Sequence, residues 1–257
     1  FAWRLQRMEV ENALDNLHKQ LLFRGIESTN YILDTSDINQ LNDVVRDNNV
    51  DLIIKSKTQE SIDDLLNNLL KTITVPMITV SQTISPIKRI LVPLDGSARA
   101  ECSLSVMTLL AQHWNCEVIL FHAVQPPHSL FQKNQSEDER DILQTLMSSA
   151  KEKAEKYLQD VAKSLLFDTS IKVVESDQVY STIHQMIDEE AIDLIVLSAH
   201  GESGQPQWPY GSITHNIIAY AQIPVLIIQD LPTTTGDGVT NMPKESLRQP
   251  SKQAATN

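Results

Sequence analysis

The sequence predicts a doubly wound α/β fold: a parallel five-stranded sheet with helices on both faces, preceded by a partial second copy. Three observations carry this expectation. Between residues 87 and 230, apolar runs of strand length alternate with helical periods five times. Those runs are apolar throughout, which marks strands buried on both faces. Two segments of the first 82 residues also repeat the last two strand segments of that stretch.

Arg89-Ile-Leu-Val-Pro-Leu94 is the first strand of the main unit, followed by a helix from about 98 with Leu104, Met107 and Leu110 on one face. Glu117–Val124 is the second strand. A long helix follows, carrying Leu143, Met147, Ala150, Ala154, Tyr157, Val161 and Leu165 at three- and four-residue spacing. Ile171–Glu175 is the third strand, and the next helix carries Ile183, Met186 and Ile187. Ile192–Leu197 is the fourth strand. A helix from Ser212, with Ile213, Ile217 and Ile218, leads into the fifth, Ile223–Ile228. The run Glu137-Asp-Glu-Arg-Asp141 reads as a solvated helix start, with acids where the helix dipole favours them.

Asn49–Ser56 parallels Ala191–Ser198, and Ile73–Val80 parallels Ala221–Ile228. A helix with Leu14, Leu17, Leu21 and Leu22 lines up with the end of the long helix. Asp51 and Pro76 are 25 positions apart, whereas Asp193 and Pro224 are 31 apart. The first copy, residues 1–82, therefore lacks the glycine loop, and it also lacks the first strand, first helix and second strand. Residues 231–257 are rich in Pro, Thr, Ser, Asn and Gln, carry no period, and are expected to be a disordered tail. The chain opens at Phe1 inside a helical pattern, so the start of the protein is expected upstream.

Composition narrows the class of partner. Of 257 residues, 41% are apolar and 21% charged, and the net charge of −12 argues against a grip on nucleic acid phosphates. No apolar run reaches ten residues, too short for a membrane span. Cys102 and Cys116 form neither a disulfide framework nor a Cys-x-x-Cys pattern, which suits a reducing cytoplasm. Both read as small buried apolar residues.

Glycine is scarce, and four of its seven positions (96, 201, 204 and 211) fall in two loops that follow strands. In a doubly wound sheet, ligands sit beyond the carboxyl ends of the strands where the strand order reverses. The first loop is Pro93-Leu-Asp-Gly-Ser97. The second runs Ser198-Ala-His-Gly201, then nine residues, then Gly211-Ser212. Gly201 and Gly204 let backbone approach a ligand. Gly211 and Ser212 open a helix whose free N–H groups favour a phosphate. Asp95 can accept hydrogen bonds from a ribose hydroxyl or a base amine.

These two loops together resemble the universal stress protein family, whose nucleotide-binding members carry Gly-x-x-Gly, nine residues, then Gly-Ser/Thr after the fourth strand. The resemblance covers 87–230 in full and roughly 10–82 as a truncated copy, so the chain is similar to a tandem universal stress protein with an adenine nucleotide alpha hydrolase-like fold. It implies ATP, with or without Mg2+, or a related adenine nucleotide as ligand. Asp95 would meet the adenine–ribose end, the backbone at Val124 would read the adenine edge, and Gly201, Gly211 and Ser212 would hold the phosphates. Pro93, Gly96, Ser198, His200 and Gly204 complete the implied nucleotide-binding set. The sequence departs from the family pattern in three places: Ser198 replaces the first glycine, Pro206, Trp208, Pro209 and Tyr210 occupy the spacer, and no Lys or Arg occurs in residues 173–243.

Each motif also has a plainer reading. Ser212 and Asp95 suit helix N-caps. His122 suits a satisfied core histidine, and His200 a turn-stabilising role. Trp208 and Tyr210 suit packing against the other half or a partner subunit. Two functions follow: a stress-response protein that uses nucleotide occupancy as a signal, or a dimerisation and interaction module without ligand. In the second, the edge strands at 76–80 and 224–228 pair inside one chain or between chains. Enzymatic turnover is not expected. Gly-x-Ser-x-Gly, Gly-x4-Gly-Lys-Ser/Thr and His-Glu-x-x-His are all absent.

Overall fold

A computed structural model describes residues 2–33, 38–57, 64–81, 85–127, 137–201 and 210–229. Gly204, Pro206, Trp208, Pro209 and the expected tail from residue 231 lie outside them. The chain forms two compact units, Phe1–Asn48 and Asn49–Asn257, so they do not divide it where the sequence repeat does.

The first unit holds α1 (Ala2–Phe23) and α2 (Ile38–Asp47). Gly25, at φ +76, ends the turn after α1, a conformation that glycine adopts without Cβ strain. His18 Nδ1 lies 2.6 Å from Ser28 Oγ, which ties that turn back to the helix.

The second unit contains β1 (Ile53–Ser56), α3 (Asp64–Thr72), β2 (Met77–Val80), β3 (Arg89–Pro93), α4 (Ala98–Glu101) and α5 (Ser103–Trp114). It continues with β4 (Glu117–Val124), α6 (Glu137–Ser164), β5 (Thr169–Glu175), α7 (Val179–Glu189), β6 (Leu194–Ser198), α8 (Ser212–Tyr220) and β7 (Val225–Ile228). All five expected strands of the main unit form, and α6 opens on Glu137, Asp138 and Glu139 as the charge run suggested.

The sheet has seven strands, not five, in the order β1-β2-β7-β6-β3-β4-β5. Strands β1 and β2 extend it because each expected edge finds its partner inside the chain. Met77, Ile78 and Thr79 pair antiparallel with Ile227, Leu226 and Val225. The remaining neighbours are parallel.

The parallel ladders on the two sides of this seam match in register. Ile53 pairs with Met77 as Ile195 pairs with Val225. Ile53 N–H donates to Pro76 O at 3.0 Å, and Ile195 N–H to Pro224 O at 3.2 Å. Lys57 N–H donates to Val80 O at 2.7 Å, and Ala199 N–H to Ile228 O at 2.8 Å. Asn49 and Ala191, at matching positions, both adopt positive φ, of 48 and 47.

Strand alternation divides the core. Ile90, Val92, Val118, Leu120, Leu194, Val196 and Leu226 cluster on one face with Met107 and Ala111 of α5 and Leu158 of α6. Leu91, Ile119, Phe121, Ile195, Leu197 and Ile227 alternate with them and are equally buried. Within β7-β6-β3-β4-β5 the strand order reverses between β3 and β6, so the loops following these two strands diverge and leave a crevice.

Candidate functional site

The loop after β3 is set by its own side chains. Asp95 Oδ1 accepts the Ser97 N–H at 2.9 Å and the Ser97 hydroxyl at 2.6 Å. Gly96 sits at φ +87, which a side chain rarely adopts. Ser97 then caps α4, its Oγ accepting Ala100 N–H at 3.1 Å. The cap is therefore Ser97, and Asp95 positions the cap instead of serving as one.

The described residues that flank the second loop are joined by hydrogen bonds to backbone carbonyls. Gly211 N–H donates to Ala199 O at 2.7 Å, and Thr214 Oγ1 donates to Ser198 O at 3.0 Å. Gly211, not Ser212, is the N-cap of α8. The Gly211 amide is consumed by Ala199. The first-turn amides from Ser212 onward have no intrahelical acceptor, and Ser212, Ile213 and Thr214 line the crevice.

The two loops meet at Asp95 and Gly201. A Cβ at Gly201 would fall 3.3 Å from Asp95 Cγ and inside contact distance of Oδ2. A side chain at 201 would therefore require the Asp95 carboxylate to shift. Gly211 differs: an added Cβ would meet only Ala199 O, at 3.8 Å.

Between the loops lies a cavity of about 310 Å³. It gathers Pro93, Asp95, Ser198, His200, Gly201, Gly211 and Ser212 of the expected set. Gly96 shapes the loop without lining the cavity. Val124 is buried against Met147 and Ala154, and its carbonyl accepts Ser176 N–H at 3.1 Å. Strand alternation instead turns Phe121, Ala123 and Gln125 toward the cavity, with Val179 and Ile183 of α7. The contact expected at Val124 is one of its backbone, which this alternation of side chains does not address.

Neighbouring side chains support the site. Cys102 Sγ lies 3.6 Å from Ser198 Oγ. Tyr210 is 6% exposed, stacks on His215 at 5.6 Å between centroids, and donates its hydroxyl to Asn67 of α3. Tyr210 thus takes the packing role expected for it, against the earlier half of the chain. Burial pushes its phenol up. His122 is not the satisfied core histidine expected, since its buried Nδ1 has no hydrogen-bond partner. Its ring meets Tyr157 edge-on at 6.3 Å. Burial, reinforced by Glu101, holds the Tyr157 phenol well above its ordinary range. Among the described residues no group of three His, Cys, Asp or Glu side chains is placed to hold a metal ion. No helix among them is long and apolar enough to cross a membrane.

The crevice lined by Asp95 and by the start of α8 lies at the reversal of a doubly wound α/β sheet, the place where folds of this class hold ligands. The kinship is specific: the profile of the universal stress protein family matches residues 86–229, and the chain belongs to that family. It is 28% identical to universal stress protein MJ0577 of Methanocaldococcus jannaschii, over 55% of this chain and 94% of that protein. The solved MJ0577 structure superposes with a TM-score of 0.50 at 23% identity, covering 57% of this chain and 99% of that one. Protein PA1789 of Pseudomonas aeruginosa PAO1 gives a TM-score of 0.63 at 14% identity, over 85% of this chain and 77% of that one. A universal stress protein of Archaeoglobus fulgidus DSM 4304 gives 0.60 at 14%, over 87% and 79%. The last two likenesses, of fold alone, extend beyond the family-matched region.

Proposed function

We propose that this chain is a stress-response protein whose crevice binds an adenine nucleotide as a regulatory ligand, the signal being occupancy and not turnover. The observation that carries the reading is the meeting of Asp95 with Gly201 at the mouth of α8. It puts a ribose-hydroxyl acceptor and the N–H groups of a helix start on one cavity of suitable size. Gln125 adds an amide at the strand end where the base would lie.

The seam between β2 and β7 supports reading residues 1–82 as a truncated copy of the main unit, paired with it inside one chain. It also weakens the rival reading of a homodimer through these edges, because each already satisfies the other. We propose no catalytic role for the crevice.

The test is chromatographic. Freshly purified protein is denatured and the released small molecules are separated by anion exchange with detection at 260 nm. Near-stoichiometric adenine nucleotide is expected. A blank trace, with no thermal shift on adding AMP, ADP or Mg-ATP, would contradict the reading.

A further inference from the structure

Strand β1 stands in the sheet where β6 stands in the main unit. Asp51, Leu52, Ile53 and Ile54 match Asp193, Leu194, Ile195 and Val196 in sequence. Strand β6 lies between β7 and β3, whereas β1 has β2 on one side and ends the sheet on the other. Ile53 and Lys57 give their amides to Pro76 O and Val80 O. Strand alternation therefore turns the Ile54 and Ser56 amides toward the open edge.

The matched residues differ in one consistent direction. Leu194 and Val196 are fully buried, in the cluster that holds Met107 and Ala111 of α5. Ile54 is 66% exposed and Leu52 41%. Yet Ile78, the neighbour of Ile54 across the β1–β2 ladder, belongs to that same buried face. The carboxylates differ as well. Asp193 Oδ2 accepts the Lys88 and Arg89 amides at 2.8 and 3.0 Å, which fixes the entry of β3. Asp51 holds the matching position, is exposed, and accepts no amide among the described residues.

Resting on the reading of residues 1–82 as a partial copy, we infer that the open edge of β1 is a docking site for a β-α-β segment built like Arg89–Val124. Its first strand joins β1 in parallel, as β3 joins β6 with Ile90 and Leu91 opposite Leu194 and Ile195. The direction follows from Asp51, which lies at the start of β1 and meets the first amides only of a strand running the same way. Those amides donate to its carboxylate, a charge-assisted contact that sets the register. The helix of the segment covers Leu52 and Ile54, as α5 covers Leu194 and Val196. Backbone bonds supply the affinity of such strand addition, and the matched side chains its specificity.

The test uses the full chain and, as probe, its own residues 85–127 carried on a soluble fusion protein, with the carrier alone as control. Calorimetric titration should show saturable binding of the probe and none of the carrier. Asp51→Ala, a change at an exposed residue, should weaken binding at least about tenfold, the worth of a hydrogen bond to a charged group. Hydrogen–deuterium exchange should slow in peptides covering 52–57 when the probe binds. No binding, or binding that Asp51→Ala leaves unchanged, would overturn the inference, as would protection confined to other segments. A full chain that dimerises alone with 52–57 already protected would overturn it too, giving the edge to a second copy. None of these failures touches the pairing of β1 with β2, so the repeat reading would stand without the docking site.

Discussion

The carboxylate of Asp95 lies directly against Gly201, two residues 106 positions apart in the chain, so that no side chain fits at 201 while Asp95 holds its place. Asp95 cannot easily yield, because Ser97 bonds its Oδ1 twice and then caps α4. This contact joins the two loops that define the crevice.

Gly201→Ala should therefore displace Asp95. We expect a loss of about 1–3 kcal/mol in stability, the usual range for overpacking, and at least a tenfold loss of AMP affinity. Urea unfolding and calorimetric titration measure the two effects. Unchanged affinity would mean that the Asp95–Gly201 contact does not shape the ligand site.

Gly211 should respond differently. Its φ of −74 is ordinary and a Cβ there meets only Ala199 O at 3.8 Å. Gly211→Leu should cost about 1 kcal/mol, since leucine is a poorer N-cap than glycine, which lowers the melting temperature by only a few degrees. Nucleotide binding should be abolished by the bulk added at the cavity wall. A variant that binds normally would take Gly211 out of the site.

Tyr210→Phe isolates the link from the second loop to α3. It removes the hydroxyl bond to Asn67 while keeping the stack on His215. A loss of about 1 kcal/mol is expected, the typical net worth of one such bond, read as a lower urea midpoint at unchanged m. No loss would show that α3 does not brace the loop.

Lys57 gives a pH signature for the seam. Its Nζ donates to the Ala221 carbonyl just past α8, and burial pulls its ammonium down to about 8 from the ordinary 10.5. The unfolded chain then binds more protons than the folded one between about pH 8 and 10.5, so this residue's contribution to stability improves as pH rises through that window. Stability of wild type minus that of Lys57→Met should shift in favour of wild type between pH 7 and pH 10. Parallel pH curves would show that Lys57 titrates normally.

Much of this architecture was legible in the sequence because buried parallel strands are continuous apolar runs. Glu117–Val124 was bounded correctly from its residues alone. The repeat around Asp51 and Asp193 correctly marked two further strand segments. The pairing of the edges at 76–80 and 224–228 was legible too, but not whether it forms inside one chain or between chains, nor its antiparallel direction, because an apolar run does not encode either.

The same limit explains the site. Scarce glycines located both loops, and seven of the ten expected residues line the cavity. Ala123 and Gln125 were missed because the reading used the strand end and not its two-residue alternation, which aims them inward. The Tyr210–Asn67 bond spans 143 positions and leaves no local pattern. The loss of the Gly211 amide to Ala199 is a backbone event that side-chain identity does not reveal.

The central claim is that one ligand bridges the loops after β3 and β6. Hydrogen–deuterium exchange with and without AMP tests it most directly. The account predicts slower exchange in peptides covering 94–101 and 211–216, with 115–120 and 165–172 unchanged. Protection confined to other segments, or no protection at saturating AMP, would contradict it.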